Sequence, residues 1–136
     1  QPIVGGVEKI TYEFRESSVR FPINYSITVE NGILTLDVNE HAEAGILNHV
    51  KTKKLGKKDL AKIYELAGNM QEAGEFYPEG GTGYKTHKLT RKNAGTLSAH
   101  ELLWTSLTED KADKSSKELV ELLKSLAPKI DSVTLK

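Results

Sequence analysis

Apolar and polar side chains alternate over residues 9–15, with Ile10, Tyr12 and Phe14 set against Thr11, Glu13 and Arg15. A period of two is the signature of a half-buried strand. The same pattern returns with Ile23, Tyr25, Ile27 and Val29, and again with Leu34, Leu36 and Val38. Pro22 suits a strand start. Between the second and third runs stands Asn31-Gly32. Both central residues of a type I′ turn need positive φ, and this dipeptide tolerates it best. A two-residue turn sets Val29 opposite Leu34, Ile27 opposite Leu36 and Tyr25 opposite Val38. The apolar faces then coincide, and the other face, with Thr28 against Thr35 and Ser26 against Asp37, is polar.

Residues 39–45 read as a loop and 46–52 as a fourth strand. Leu60, Ile63, Tyr64, Ala67 and Met70 then share one face at helical spacing, with Asp59 in the first turn, where the helix dipole favours an acid. Gly68 weakens the helix end and Gly74 lies past it. A long connection over 71–83 follows. Strands are predicted at about 84–91 and 96–105, joined by Lys92-Asn93-Ala94-Gly95. A type I turn with a G1 bulge there opposes residue 92 to 96, Tyr84 to Trp104 and His87 to Glu101, and a different loop register would shift these pairs by one. The last helix opens on a capping box, Ser115 with Glu118. It carries Leu119, Leu122, Leu123 and Leu126 as its apolar stripe and stops at Pro128. Residues 133–135 read as a short edge strand. The predicted fold class is α+β: an antiparallel β-meander plus a second hairpin, with one sheet face covered by two helices. Residues 9–136 form a single domain behind a tether at 1–8.

Composition narrows the function classes. The chain has 136 residues, 38% hydrophobic and 28% charged, enough for one globular core without disulfides or metal. Nineteen basic residues balance nineteen acidic ones, which argues against a nucleic-acid binder, whose affinity rests on a basic excess. No apolar run is long enough to span a bilayer. The lack of cysteine removes thiol catalysis, thiolate metal sites and any disulfide framework. The chain begins at Gln1 rather than methionine, so an exported protein, secreted or attached to the cell envelope, is expected.

Five groups of residues were weighed for chemistry. Residues 79–86 have the glycine content of a phosphate-binding loop but lack its Gly-Lys-Ser/Thr and its following helix. His87 with Glu101 is the one couple that resembles a tuned general base, and would serve a small hydrolase-like enzyme. Without a nucleophile beside it, the plainer reading is a surface pair. His41, His49, His87 and His100 lack metal-ligand spacing, so no metal and no cofactor are expected. Lys51, Lys53, Lys54, Lys57, Lys58 and Lys62 form a basic run without interleaved aromatics, read as a solvated face rather than a nucleic-acid or membrane surface. The Phe76-Tyr77-Pro78 loop beside Glu79, Gly80, Gly81 and Tyr84 is the best binding candidate, because an aromatic presented on a loop by a rigid scaffold is a usual recognition device. Its alternative is that Phe76 and Tyr77 fold back on the edge of the core.

The stretch from Ile10 to Ser18, the Asn31-Gly32 hairpin, Leu55-Gly56-Lys57-Lys58-Asp59-Leu60, the Gly-Gly-Thr-Gly element and Leu126-Ala127-Pro128 resemble small uncharacterised prokaryotic secreted or lipoprotein-type domains. The plan is also similar to emfourin-type inhibitors of thermolysin-like proteases. These likenesses imply an exported domain that binds a protein partner, with protease inhibition as the sharper form. They assign no role to any single residue. The expectation is therefore a non-enzymatic binding domain, set against the His87/Glu101 enzyme and against a structural or assembly module using the Thr28/Thr35 face or a free strand edge. Oligomeric state is left open.

Overall fold

The computed structural model describes residues 7–16, 20–70, 74–78, 84–93 and 99–130. The expected tether at Gln1 to Gly6, the connection at 17–19, Glu79 to Gly83, the Ala94-Gly95 turn and the strand at 133–135 lie outside the described residues. The fold is α+β. Among the described residues, seven strands, β1 (Val7–Glu16), β2 (Ile23–Glu30), β3 (Ile33–Ala42), β4 (Gly45–Lys54), β5 (Gly74–Glu75), β6 (Lys85–Asn93) and β7 (Ala99–Thr105), form one sheet in the order β4-β3-β2-β1-β6-β7-β5. Helix α1 (Lys57–Asn69) follows β4. A 3₁₀ turn (Glu109–Lys111) and helix α2 (Lys114–Leu126) follow β7.

The β2–β3 hairpin has the register that its turn chemistry dictates. Val29 faces Leu34, Ile27 faces Leu36 and Tyr25 faces Val38. Asn31 and Gly32 hold φ of 53° and 76°, the left-handed region that a type I′ turn requires. Ile10, Tyr12 and Phe14 of β1 join the same buried face, together with Leu89 of β6 and Leu102 and Trp104 of β7. The alternate residues Thr11, Glu13, Ser26 and Thr28 remain half-exposed. Ile63, Leu66 and Ala67 of α1 and Leu119, Val120 and Leu123 of α2 belong to the same apolar core as the buried strand face, and the two helices pack on each other.

Several boundaries differ from the sequence reading. β1 starts at Val7, which is buried, so Val7 and Glu8 belong to the sheet and not to the tether. The expected loop at 39–45 is mostly strand: β3 runs to Ala42 and pairs with Gly45 across a tight turn. The polar residues Asn39, Glu40 and His41 hid the pattern, because this end of β3 pairs with the edge strand β4 and buries no apolar side chain. The connection at 71–83 contains β5, which pairs parallel with β7, Gly74 to Leu102 and Glu75 to Leu103. Leu66 was missed on α1, whose buried stripe is rotated towards it. Helix α2 begins earlier than the capping box implied. Its N-cap is Asp113, whose carboxylate accepts from the Ser116 backbone N–H at 3.1 Å and from the Ser116 hydroxyl at 2.6 Å. Ser115 is inside the helix. Asp113→Ala is expected to lower the unfolding free energy by about 1 kcal/mol, read from the urea midpoint, since two donors lose one acceptor.

Charged side chains finish the helix ends. Arg91 donates to the Ala67 carbonyl at 2.8 Å, at the end of α1, whose last turn carries no basic residue of its own. Lys51 and Lys53 of β4 donate to the carbonyls of Lys129 (2.8 Å) and Leu126 (3.3 Å). Half-charges on unpaired C-terminal carbonyls favour such cations. Two lysines of the basic run thus tie the end of α2 to the sheet. Among the described residues no helix is long and apolar enough to cross a membrane.

Candidate functional site

β5 and its continuation decide where the aromatic segment lies. The Phe76 backbone N–H donates to the Leu103 carbonyl at 2.9 Å, and the Thr108 hydroxyl donates to the Phe76 carbonyl at 2.7 Å. Thr108 Oγ1 in turn accepts the Thr105 backbone N–H at 2.8 Å. Its own proton is committed to Phe76, so the 3.0 Å contact between the two threonine hydroxyls is a donation from Thr105. The peptide units on both sides of the Phe76 side chain are therefore fixed. Gly74 lets the ring lie close: a Cβ there would stand 3.0 Å from the Phe76 ring.

This anchoring separates the two aromatics. Phe76 is half-buried against the core. Tyr77 is 55% exposed and borders a groove of about 270 Å³ with Glu13, Arg15, Thr86, Lys88 and Leu103. Arg15 has no ion-pair partner among the described residues, while Lys88 stands 3.7 Å from Glu101. Of the residues expected to bind, Phe76 thus packs inward, Tyr77 faces solvent and Tyr84 is half-buried just ahead of β6. Glu79, Gly80 and Gly81 lie outside the described residues. A strand and not a helix follows Tyr84, so the arrangement of a phosphate loop is missing.

The His87/Glu101 couple does not form. β6 and β7 pair with His87 opposite Trp104, Leu89 opposite Leu102 and Thr90 opposite Glu101. The register differs by three residues from the expected one. That odd shift exchanges faces, so His87 and Glu101 lie on opposite sides of the sheet, and Tyr84 does not face Trp104. Apolar matching decides the register, because only this one sets Leu89 against Leu102 on the buried side. The hydrolase-like reading loses its one pair.

His87 instead sits in a second, inward site that the sequence did not reveal. Its Nδ1 is 2.7 Å from the Tyr12 hydroxyl. Its ring stacks on Trp104 at 5.4 Å and 12°, with Phe14 tilted beside it at 5.5 Å. Burial, and then the nearby Lys124 and Lys85 ammonium groups, lower its pKa to about 4, so the ring is neutral near pH 7. Burial also holds the Tyr12 and Tyr25 phenols well above their ordinary range. The sequence signal for this site existed only as the alternation that placed Tyr12 and Phe14 on the core face. His49 stands 3.2 Å from Glu40, and among the described residues no three His, Asp or Glu side chains are placed to hold a metal ion.

No family model matches the chain, and no curated protein matches it in sequence.

Proposed function

We propose that the protein is a non-enzymatic, exported binding domain for a protein partner, in its sharper form a protease inhibitor. In this reading the two helices cover one face of the meander and its second hairpin. The opposite face, bordered by Tyr77, makes the contact. The observation that carries it is the separation of Phe76 from Tyr77. A segment pinned by hydrogen bonds on both sides of Phe76 holds one ring in the core and offers the next to solvent. A side chain held in place before binding loses little entropy on association. Tyrosine and arginine are the residue types that dominate interface energetics, and Tyr77 shares its groove with Arg15. The resemblance to secreted domains and to emfourin-type inhibitors supports the export and the class of partner.

The test is inhibition of a panel of metallo- and serine proteases by the full chain. Inhibition at micromolar concentration is expected. Tyr77→Ala should weaken it by about 30-fold or more while leaving the urea midpoint unchanged, because the side chain is exposed. Absence of inhibition across the panel rejects the inhibitory form. For any captured partner, unaltered affinity in both Tyr77→Ala and Arg15→Ala rejects this surface.

A further inference from the structure

The cleft beside His87 is independent of the Tyr77 surface and lies on the other side of the sheet. It has a volume of about 390 Å³, within the range of small-ligand pockets. Phe14, His87 and Trp104 line its inner end, Val120 of α2 adds an apolar wall, and Lys85, Lys117, Lys124, Glu109 and Glu121 stand around it. Lys124 pairs with Glu121 at 3.0 Å. Lys85 and Lys117 have no ion-pair partner among the described residues. Three lysines against two glutamates leave one net positive charge.

Two nitrogens at the inner end are unspent. Among the described residues, Arg91 Nε is the one side-chain polar atom both sealed from solvent and without a hydrogen-bond partner. The Trp104 indole N–H and His87 Nε2 also lack a partner among these residues, and neither is sealed. Both residues line the cleft. The indole N–H can only donate. When the Tyr12 hydroxyl donates to His87 Nδ1, Nε2 carries the ring proton and is a second donor. An inner end of parallel aromatic planes with N–H donors, under a rim with one surplus cation, suits a flat apolar body ending in an acceptor of single negative charge. A dianion would meet Glu109 and Glu121 at the rim.

We propose that this cleft binds a small aromatic monocarboxylate. Its ring lies against Val120 and the Trp104–His87 stack, and its carboxylate meets the Trp104 indole N–H and the Lys85 and Lys117 ammonium groups.

Trp104 is the single tryptophan of the chain, so intrinsic fluorescence reports on the cleft directly. The full chain is titrated with phenylacetate, phenylacetamide and phenethylamine, with affinities confirmed by calorimetry. Phenylacetate is expected to give a saturable fluorescence change in the submillimolar range, the amide to bind about tenfold more weakly or worse, and the amine not to bind. Trp104→Phe keeps an aromatic ring and removes the donor, and should cost phenylacetate about tenfold in affinity by calorimetry. Lys117 is exposed on α2, so Lys117→Glu leaves the core intact and should abolish the preference for the carboxylate. Tyr77→Ala should bind phenylacetate as the parent chain does. The proposal is overturned if phenylacetate gives no saturable signal at millimolar concentration, if the three probes bind equally, or if Lys117→Glu leaves the affinity unchanged.

Discussion

Replacing Phe14 by alanine is expected to lower the unfolding free energy by about 3–5 kcal/mol, a large part of the about 5–15 kcal/mol that holds a domain of this kind. Phe14 is 1% exposed and sits in the middle of the sheet, where β1 pairs with both β2 and β6. Its ring stacks on Tyr25 at 5.1 Å and tilts against His87 at 5.5 Å. Truncation removes both contacts and leaves a void that rigid strand backbones cannot close, so the transfer and cavity terms add. Phe14→Leu keeps most of the volume and should cost about 1–1.5 kcal/mol. Urea unfolding of the three proteins at neutral pH checks the series. Near-equal midpoints for Phe14→Ala and the parent chain would show that the ring is not in the core.

The second large effect is a loss of stability in mild acid that runs through His87. In the unfolded chain its imidazole takes up a proton near the ordinary value of 6.5, and in the folded chain only at about 4. Above about pH 6.5 both states are neutral and the full stability is present. As pH falls from 6.5 towards 4 the unfolded state gains a proton that the folded state refuses, so stability drops, and the drop levels off below 4. Lys85 and Lys124 act in the same direction as burial, and Tyr12 cannot ionise to compensate, because burial holds its proton. Allowing for water in the open cleft, which screens the charge, the loss is about 2 kcal/mol. His87→Gln keeps a polar partner for Tyr12 and cannot titrate. Contributions common to both proteins cancel in a double difference. The parent chain should lose about 2 kcal/mol more than His87→Gln between about pH 7 and about pH 4 in urea unfolding. Equal losses would place the His87 ring in water.

The parts of the fold legible in the sequence are those held by local chemistry. Asn31-Gly32 permits one turn, and one turn permits one register, so the β2–β3 pairing followed from a dipeptide and an alternating pattern. The second hairpin had no such device. Its connecting residues allow several loop lengths, and each changes the register by whole residues. The pairing was settled by Leu89 meeting Leu102 in the buried core, a contact between residues that no local rule joins. With that shift the His87–Glu101 couple dissolved and the His87–Trp104 stack took its place. The aromatic segment was visible as a segment, yet its division into one inward and one outward ring depended on Thr108 reaching back to the Phe76 carbonyl over a distant stretch of chain.

By itself, then, the sequence determined the α+β class, the alternating core faces of β1 to β3 and the existence of both helices, because periodicity and turn chemistry act within a few residues. The tertiary structure alone decided which residues stand together. It placed Tyr77 on a pinned ledge at the edge of the sheet, and it gathered Phe14, His87, Trp104, Lys85, Lys117 and Lys124 around one cleft. Both arrangements join residues far apart in the chain, which strand pairing and long-range side-chain contacts bring together.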